Sequence, residues 1–178
     1  MDGNLRYIEN EELFDTVVLD GILKARRSVL IATANLKDLH VPSRGKYRSI
    51  AYEYAVLCEG GVEVNILHGG VPSEPFLHSF KDSGLSNEKL FTARRCPRVH
   101  FKAVIMDANT LYLGSANMTG AGLGAKSETR RNFETGVLTT DTEMIERVTS
   151  LFQEIWEGRK CNSCGRHNVC YCPLEEMQ

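Results

Sequence analysis

His100 and Lys102 stand two residues apart, and Asp107, Ser115 and Asn117 follow them at short intervals. In an extended chain successive side chains alternate faces, so this imidazole and ammonium point the same way. Val99–Met106 and Leu111–Ser115 read as two strands joined by a turn at Asp107–Thr110. A symmetric turn sets Met106 against Leu111, Lys102 against Ser115 and His100 against Asn117. Cross-strand neighbours lie about 5 Å apart, close enough to grip one small anion together. Four polar groups then converge at one end of a hairpin whose other end, with Val104, Met106, Leu111 and Leu113, is apolar. A fixed cation, a hydroxyl and an amide suit a phosphate and the charge that develops on it. A histidine that titrates near neutrality attacks phosphorus when neutral or delivers a proton when charged. This chemistry requires no water-activating metal, and Asp107, Glu134 and Asp141 form no evident ligand cluster for one.

The full spacing is His100-Phe101-Lys102, four residues, Asp107, six residues, then Gly114-Ser115-Ala116-Asn117. It resembles the signature of the phospholipase D superfamily. The resemblance implies that His100 forms a covalent phosphohistidine, that Lys102 and Asn117 hold the phosphate, and that Asp107 braces the hairpin. It also implies that Glu134, in Asn132-Phe133-Glu134, is the acid that orients His100. The family uses two such motifs per active site, whereas His40, His68, His78 and His167 each lack a lysine two residues on. A homodimer is therefore implied, because a two-fold axis brings the same strand of each subunit face to face. Short members with one motif resemble bacterial endonucleases, which makes metal-independent cleavage of DNA or RNA the leading expectation. Two alternatives stay open. A cardiolipin-type phospholipid hydrolase acts on the same reacting atoms, and a non-catalytic module grips nucleic acid through charge alone.

Charge along the chain is uneven. The formal net charge is −2, yet Arg94–Arg131 carries seven basic residues against Asp107 and Glu128, while the first twenty residues carry six acids and one arginine. Such polarity presents a basic face to phosphates while the total stays near zero. The candidate contacts are Arg44, Lys46, Arg94, Arg95, Arg98, Lys126, Arg130 and Arg131.

With 178 residues, 42% of them hydrophobic and 25% charged, the chain has the balance of a globular protein. The longest apolar-rich run, Val29–Ala34, is too short to cross a bilayer. The acidic start is unlike a secretory signal, so the expected address is the cytoplasm. The elements that must position the site follow from periodicity. A helix runs from Leu13 to about Arg26, a buried strand spans Arg27–Leu36, and Lys37–Lys46 is a loop. A helix covers Ile50–Cys58, a strand spans Val62–Ile66, and a short helix falls at Phe76–Asp82. Leu85–Arg95 carries no clear signal. After the hairpin and a glycine-rich loop at Gly120–Lys126, Phe133–Thr139 is a strand, and Thr140 and Glu143 form a capping box that opens the last helix. The expected fold is α/β, a mixed sheet with helices on both faces, over residues 1–158.

Residues 159–178 read as a small metal-binding tail. Cys161, Cys164, Cys170 and Cys172 fall within the last eighteen residues. In a chain without a secretory signal this clustering points to metal rather than disulfides. Four thiolates suit a closed structural zinc site, with His167 able to replace one sulfur; an iron–sulfur cluster is the alternative. Cys58 reads as core packing, and Cys96 has no evident partner.

Overall fold

The computed structural model describes residues 4–177. A seven-stranded mixed sheet forms the centre, built from β1 (Leu5–Glu9), β2 (Ser28–Thr33), β5 (Glu63–His68), β6 (Phe91–Arg95), β7 (Lys102–Met106), β8 (Thr110–Gly114) and β9 (Thr135–Thr139). Its strand order is β1-β9-β8-β7-β2-β5-β6. The β2-β5-β6 side is parallel, and the remaining pairings are antiparallel. A separate hairpin holds β3 (His40–Ser43) and β4 (Lys46–Ser49).

Helices cover both faces, as the composition of the central strands requires, because Val29, Ile31, Ala32, Val104 and Ile105 are all buried. On one face Val29, Ile31, Val104 and Met106 join the main core with residues of α1 (Ile50–Glu59) and α2 (Glu74–Asp82). On the other, Ala103, Ile105 and Leu111 pack against Ile145 of α3 (Thr142–Trp156). Among the described residues, no helix is long and apolar enough to cross a membrane.

Several local expectations need correction. The Leu13–Arg26 segment is a π-wound stretch at Phe14–Leu19 and a 3₁₀ turn at Ile22–Lys24. Gly21 divides them, since a Cβ there would collide with the Met106 sulfur and the Val17 carbonyl. The Lys37–Lys46 loop is largely the β3–β4 hairpin, closed by Arg44 and Gly45 with φ of 48° and 77°, the left-handed pair that two-residue turns favour. Leu5–Glu9, unassigned in the sequence, is an edge strand on β9. The cap of α3 is Asp141, which accepts from Met144 N at 2.8 Å, so Thr140 lies outside the helix and Glu143 reaches Arg147 instead.

The hairpin register is also shifted by one residue. Met106 pairs with Thr110 and Lys102 with Gly114, not Ser115. Asp107 and Ala108 adopt φ of 54° and 57°, which closes the turn in three residues rather than four. His100 consequently lies outside the ladder: β2 pairs with β7 only as far as Ala103, and the preceding turn, with Val99 N donating to Cys96 O at 2.9 Å, carries His100 into solvent.

The cysteine tail is bound to the body. Arg95 N donates to Glu175 O at 3.0 Å and Met177 N to Ala93 O at 3.0 Å, so the last residues add to the outer edge of β6. Such pairing covers an edge that would otherwise offer free N–H and C=O groups to another chain.

Candidate active site

One end of the sheet gathers the chemistry. Thr33, His68 and Arg95 end the parallel strands there, Lys102 opens β7, and Gly114 closes β8. In open α/β sheets this is the end at which ligands bind.

Asp107 acts from the far end of the hairpin. Its carboxylate accepts from the backbone N–H groups of Arg26, Arg27 and Ser28 at 2.8–3.1 Å. Burial opposes its ionisation, but the three amides and the Arg27 charge outweigh that and hold the carboxyl below its ordinary range. It ties the β7–β8 turn to the start of β2, in keeping with a brace.

Lys102 folds back on His100. Its ammonium donates to the His100 carbonyl at 2.6 Å and lies 3.3 Å from Nδ1. An ammonium has three donors, so one remains for an anion. The ring of His100 itself is exposed.

Asn117 is fixed by its oxygen. Oδ1 accepts from Ala34 N at 3.1 Å and Asn35 N at 3.0 Å, and lies 3.3 Å from the Thr33 hydroxyl, which also donates to Asn35 O at 2.9 Å. With the oxygen occupied, the amide NH2 is the end left to bind a ligand. Thr33, buried and easily passed over in the sequence, also accepts from Met118 N at 2.9 Å, so one hydroxyl organises the segment after the Gly-Ser pair.

Ser115 and Glu134 pair with each other. The Ser115 hydroxyl donates to the Glu134 carboxylate and accepts from Thr135 N at 3.1 Å, and Asn132 Nδ2 donates to the same carboxylate at 3.1 Å. The expected bond from Glu134 to His100 of the same chain is not formed. Nor does any hydrogen bond among the described residues join the His100–Lys102 pair to Ser115 or Asn117. The quartet shares one end of the sheet, but not the single strand face that the symmetric register would have given it.

Two glycines explain why the chain can pass here. A Cβ on Gly114 would strike the Tyr112 hydroxyl and the Thr135 carbonyl, and one on its partner Gly136 would strike the Tyr112 ring. Tyr112 lies across both, and its oxygen accepts from Ala116 N at 3.3 Å. Burial, reinforced by Glu134 and opposed by the Ala116 N–H, pushes this phenol up to about 12. Gly69 makes a similar approach to the Val99 and Ala34 carbonyls, which seats the turn before His100. Beneath that turn His68 is buried, with Nδ1 donating to Gly70 O at 2.8 Å. Burial lowers its pKa and Arg95 lowers it further, against the Gly70 carbonyl and Glu175, which favours the neutral ring.

The basic candidates separate into two groups. Arg94 stacks 4.5 Å over the Trp156 ring and binds Glu176 at 2.6 Å, Arg131 pairs with Glu11 at 2.8 Å, and Arg95 has a buried Nε. Arg94 and Arg131 are thus engaged within the fold. Arg98 is exposed and forms no ion pair among the described residues. Arg44, Lys46, Lys126 and Arg130 are exposed and form no ion pair among the described residues. The hairpin carrying Arg44 and Lys46 rises from the site end of β2, where Lys37 N donates to Met118 O at 3.0 Å.

Of the tail thiols, Cys161, Cys164 and Cys170 are partly buried, whereas Cys172 is exposed. As they stand, no group of three or more His, Cys, Asp or Glu side chains among the described residues is drawn together tightly enough to hold a metal.

Residues 18–156 match the family described as cardiolipin synthase, PLD-like domain, and the chain belongs to this phospholipase D-like family. Its fold is similar to NucT from Helicobacter pylori, with a TM-score of 0.64 at 19% identity over 88% of this chain and 97% of that one. Nuc from Salmonella typhimurium, a phospholipase D family member, gives 0.61 at 20% identity over 88% and 95%. Phosphatidylserine synthase from Haemophilus influenzae gives 0.52 at 16% identity over 85% of this chain and 38% of its own length. No curated protein matches the sequence.

Proposed function

We propose that this protein is a phosphodiesterase that cleaves nucleic acid as a homodimer, DNA ahead of RNA, with no catalytic metal. The carrying observation is the grouping at one sheet end of an exposed imidazole, an ammonium with a free donor and an amide whose oxygen is already taken. Phosphate oxygens need donors, and Lys102 and Asn117 offer them. In this reading one His100 attacks phosphorus: a P–N bond forms and the bond to the leaving oxygen breaks. The partner's His100 supplies that oxygen with a proton, then takes one from the water that hydrolyses the phosphohistidine. One motif per chain makes the second subunit necessary, and Phe133, 97% exposed beside Glu134, is apolar surface suited to its contact.

Nucleic acid is favoured over lipid by the free cations Arg44, Lys46, Lys126 and Arg130, which suit a polyanion. The near full-length correspondence with two Nuc-type folds points the same way. A phospholipid headgroup offers the same reacting atoms and is the second reading, favoured by the family description. The tail thiols, in this proposal, hold a structural zinc ion; a cluster containing iron is the alternative.

The test is cleavage by purified protein, in EDTA, of plasmid, single strands, RNA and cardiolipin vesicles. Nucleic acid should be cut and vesicles spared, and His100→Ala should be inactive with its fold intact. Adding inactive His100→Ala chains to wild type should depress activity beyond dilution through mixed dimers. Cleavage of vesicles alone, or cleavage that needs magnesium, would overturn the proposal.

A further inference from the structure

We infer that the ends of β5 and β6 hold a pocket for one unstacked base of the substrate strand, with His68 as its acceptor and Arg95 as its donor. The inference rests on the nucleic-acid reading above and names the part of the substrate that this pocket takes.

Three buried side-chain atoms have no hydrogen-bond partner among the described residues: the Tyr54 hydroxyl, His68 Nε2 and Arg95 Nε. A buried polar atom without a partner is costly and calls for a bound group to complete it. Two of the three belong together. His68 and Arg95 are paired positions on β5 and β6, and both line one cavity of about 680 Å³. Small-molecule sites span roughly 300–1,000 Å³, so the space is ample for a base.

The two atoms offer opposite functions. His68 Nδ1 faces Gly70 O at 2.8 Å and so carries the ring proton, which leaves Nε2 a lone pair. Arg95 Nε can only donate. An anion would satisfy the second and be repelled by the first, and Glu175 and Glu176 line the same cavity. The pair suits a neutral group with a donor beside an acceptor, as the Watson–Crick edge of an unpaired base presents. Val71, Pro72 and Leu77, from the chain after β5, and Pro173 and Leu174, from the tail, supply the apolar lining that a base face needs. Val71 is 70% exposed, so this lining is open to solvent. Arg95, expected from the sequence to meet phosphate, meets a base in this reading.

The pocket stands in line with the phosphate-binding groups. Ala32 pairs with Ala103, so the next residues, Thr33 and Lys102, lie opposite each other; Thr33 pairs with His68, and His68 with Arg95. Lys102, Thr33, His68 and Arg95 therefore form one row across four strands. The alternate residues behind them, Val104, Ile31, Ile66 and Ala93, all belong to the main core, so the row shares one face of the sheet. Strand spacings of about 4.8 Å set Arg95 roughly 14 Å from Lys102 along the row, within reach of a flanking nucleotide. A base enters only when it is unpaired, so the pocket reads single strands.

The test measures binding of a fluorescent single-stranded DNA to the full-length His100→Ala chain, which should hold the strand without cutting it. Each base in turn is replaced by an abasic residue. One position should weaken binding about tenfold, the loss of two hydrogen bonds. The same replacement within a duplex should have no effect. Arg95→Gln should abolish the abasic penalty, as should Val71→Asp, which sets a carboxylate in the apolar lining. Val71 is exposed, so the second variant keeps the test open if the first fails to fold. Equal binding of every abasic strand would overturn the base pocket and leave the nucleic-acid reading standing. A penalty that persists in both variants would place the base elsewhere, and dependence on a terminal phosphate alone would mark an anion site; either overturns the assignment. If neither His100→Ala nor wild type binds any strand, the nucleic-acid reading itself fails.

Discussion

The Asn117 side chain is anchored to Asn35, whose backbone N–H donates to Oδ1 at 3.0 Å. The amide oxygen is thus structural and the amide nitrogen is free to serve a ligand, and the two roles separate on substitution. Asn117→Asp preserves an acceptor for Asn35, Ala34 and Thr33 but replaces the donor with a negative charge. Its thermal midpoint should stay near wild type while phosphodiester cleavage is lost. Asn117→Ala should lose activity as well as about 1 kcal/mol of stability, because the amides lose their acceptor. Thermal melting beside a cleavage assay distinguishes the pair.

Asp107 gives stability a defined acid limit. Its folded pKa lies below the ordinary 3.8, so its contribution is complete above about that value and is lost as pH falls through the folded pKa. Asp107→Asn should cost about 1 kcal/mol at neutral pH, a modest figure because solvent partly screens the site. Urea titrations from pH 7 to pH 2 should show a shallower acid loss in the variant than in wild type.

Gly114→Ala should destabilise the protein by about 1–3 kcal/mol, since the added Cβ meets the Thr135 backbone carbonyl, which cannot turn aside. Denaturant unfolding measures this, and an unchanged midpoint would contradict the packing described.

Arg94 and the free cations should behave oppositely. Arg94→Ala removes the bond to Glu176 and the stack on Trp156, and should lower the melting temperature without altering the salt dependence of nucleic-acid binding. The double variant Lys126→Ala, Arg130→Ala should leave stability unchanged and reduce the slope of log K against log salt by about 1 for each phosphate contact removed.

Much of this was legible in the residues. Arg27–Leu36, Val62–Ile66 and the Ile50–Cys58 face specified two strands and a helix through the spacing of their apolar residues. The spacing from His100 to Asn117 specified the family. The hairpin register was not legible, because it depends on left-handed φ angles at Asp107 and Ala108, and alanine gives no warning of one. Leu5–Glu9 was missed because only Ile8 of that edge strand is buried. The charge count likewise treated Arg94 and Lys126 alike. Only tertiary packing reveals which cation is already engaged.

The pairing of β1 with β9 sets Leu5 against Thr139 and Glu9 against Thr135. The first strand therefore waits, unpaired, until nearly the whole catalytic unit has emerged. Closing so long a loop is entropically costly and slow, so the final edge of the sheet should assemble late in folding. During synthesis the β2–β5–β6 side can form first, and the strand next to the Ser115–Glu134 pair is completed only with β9. That edge, beside the Ser115–Glu134 pair, should therefore gain its order in the last steps of folding.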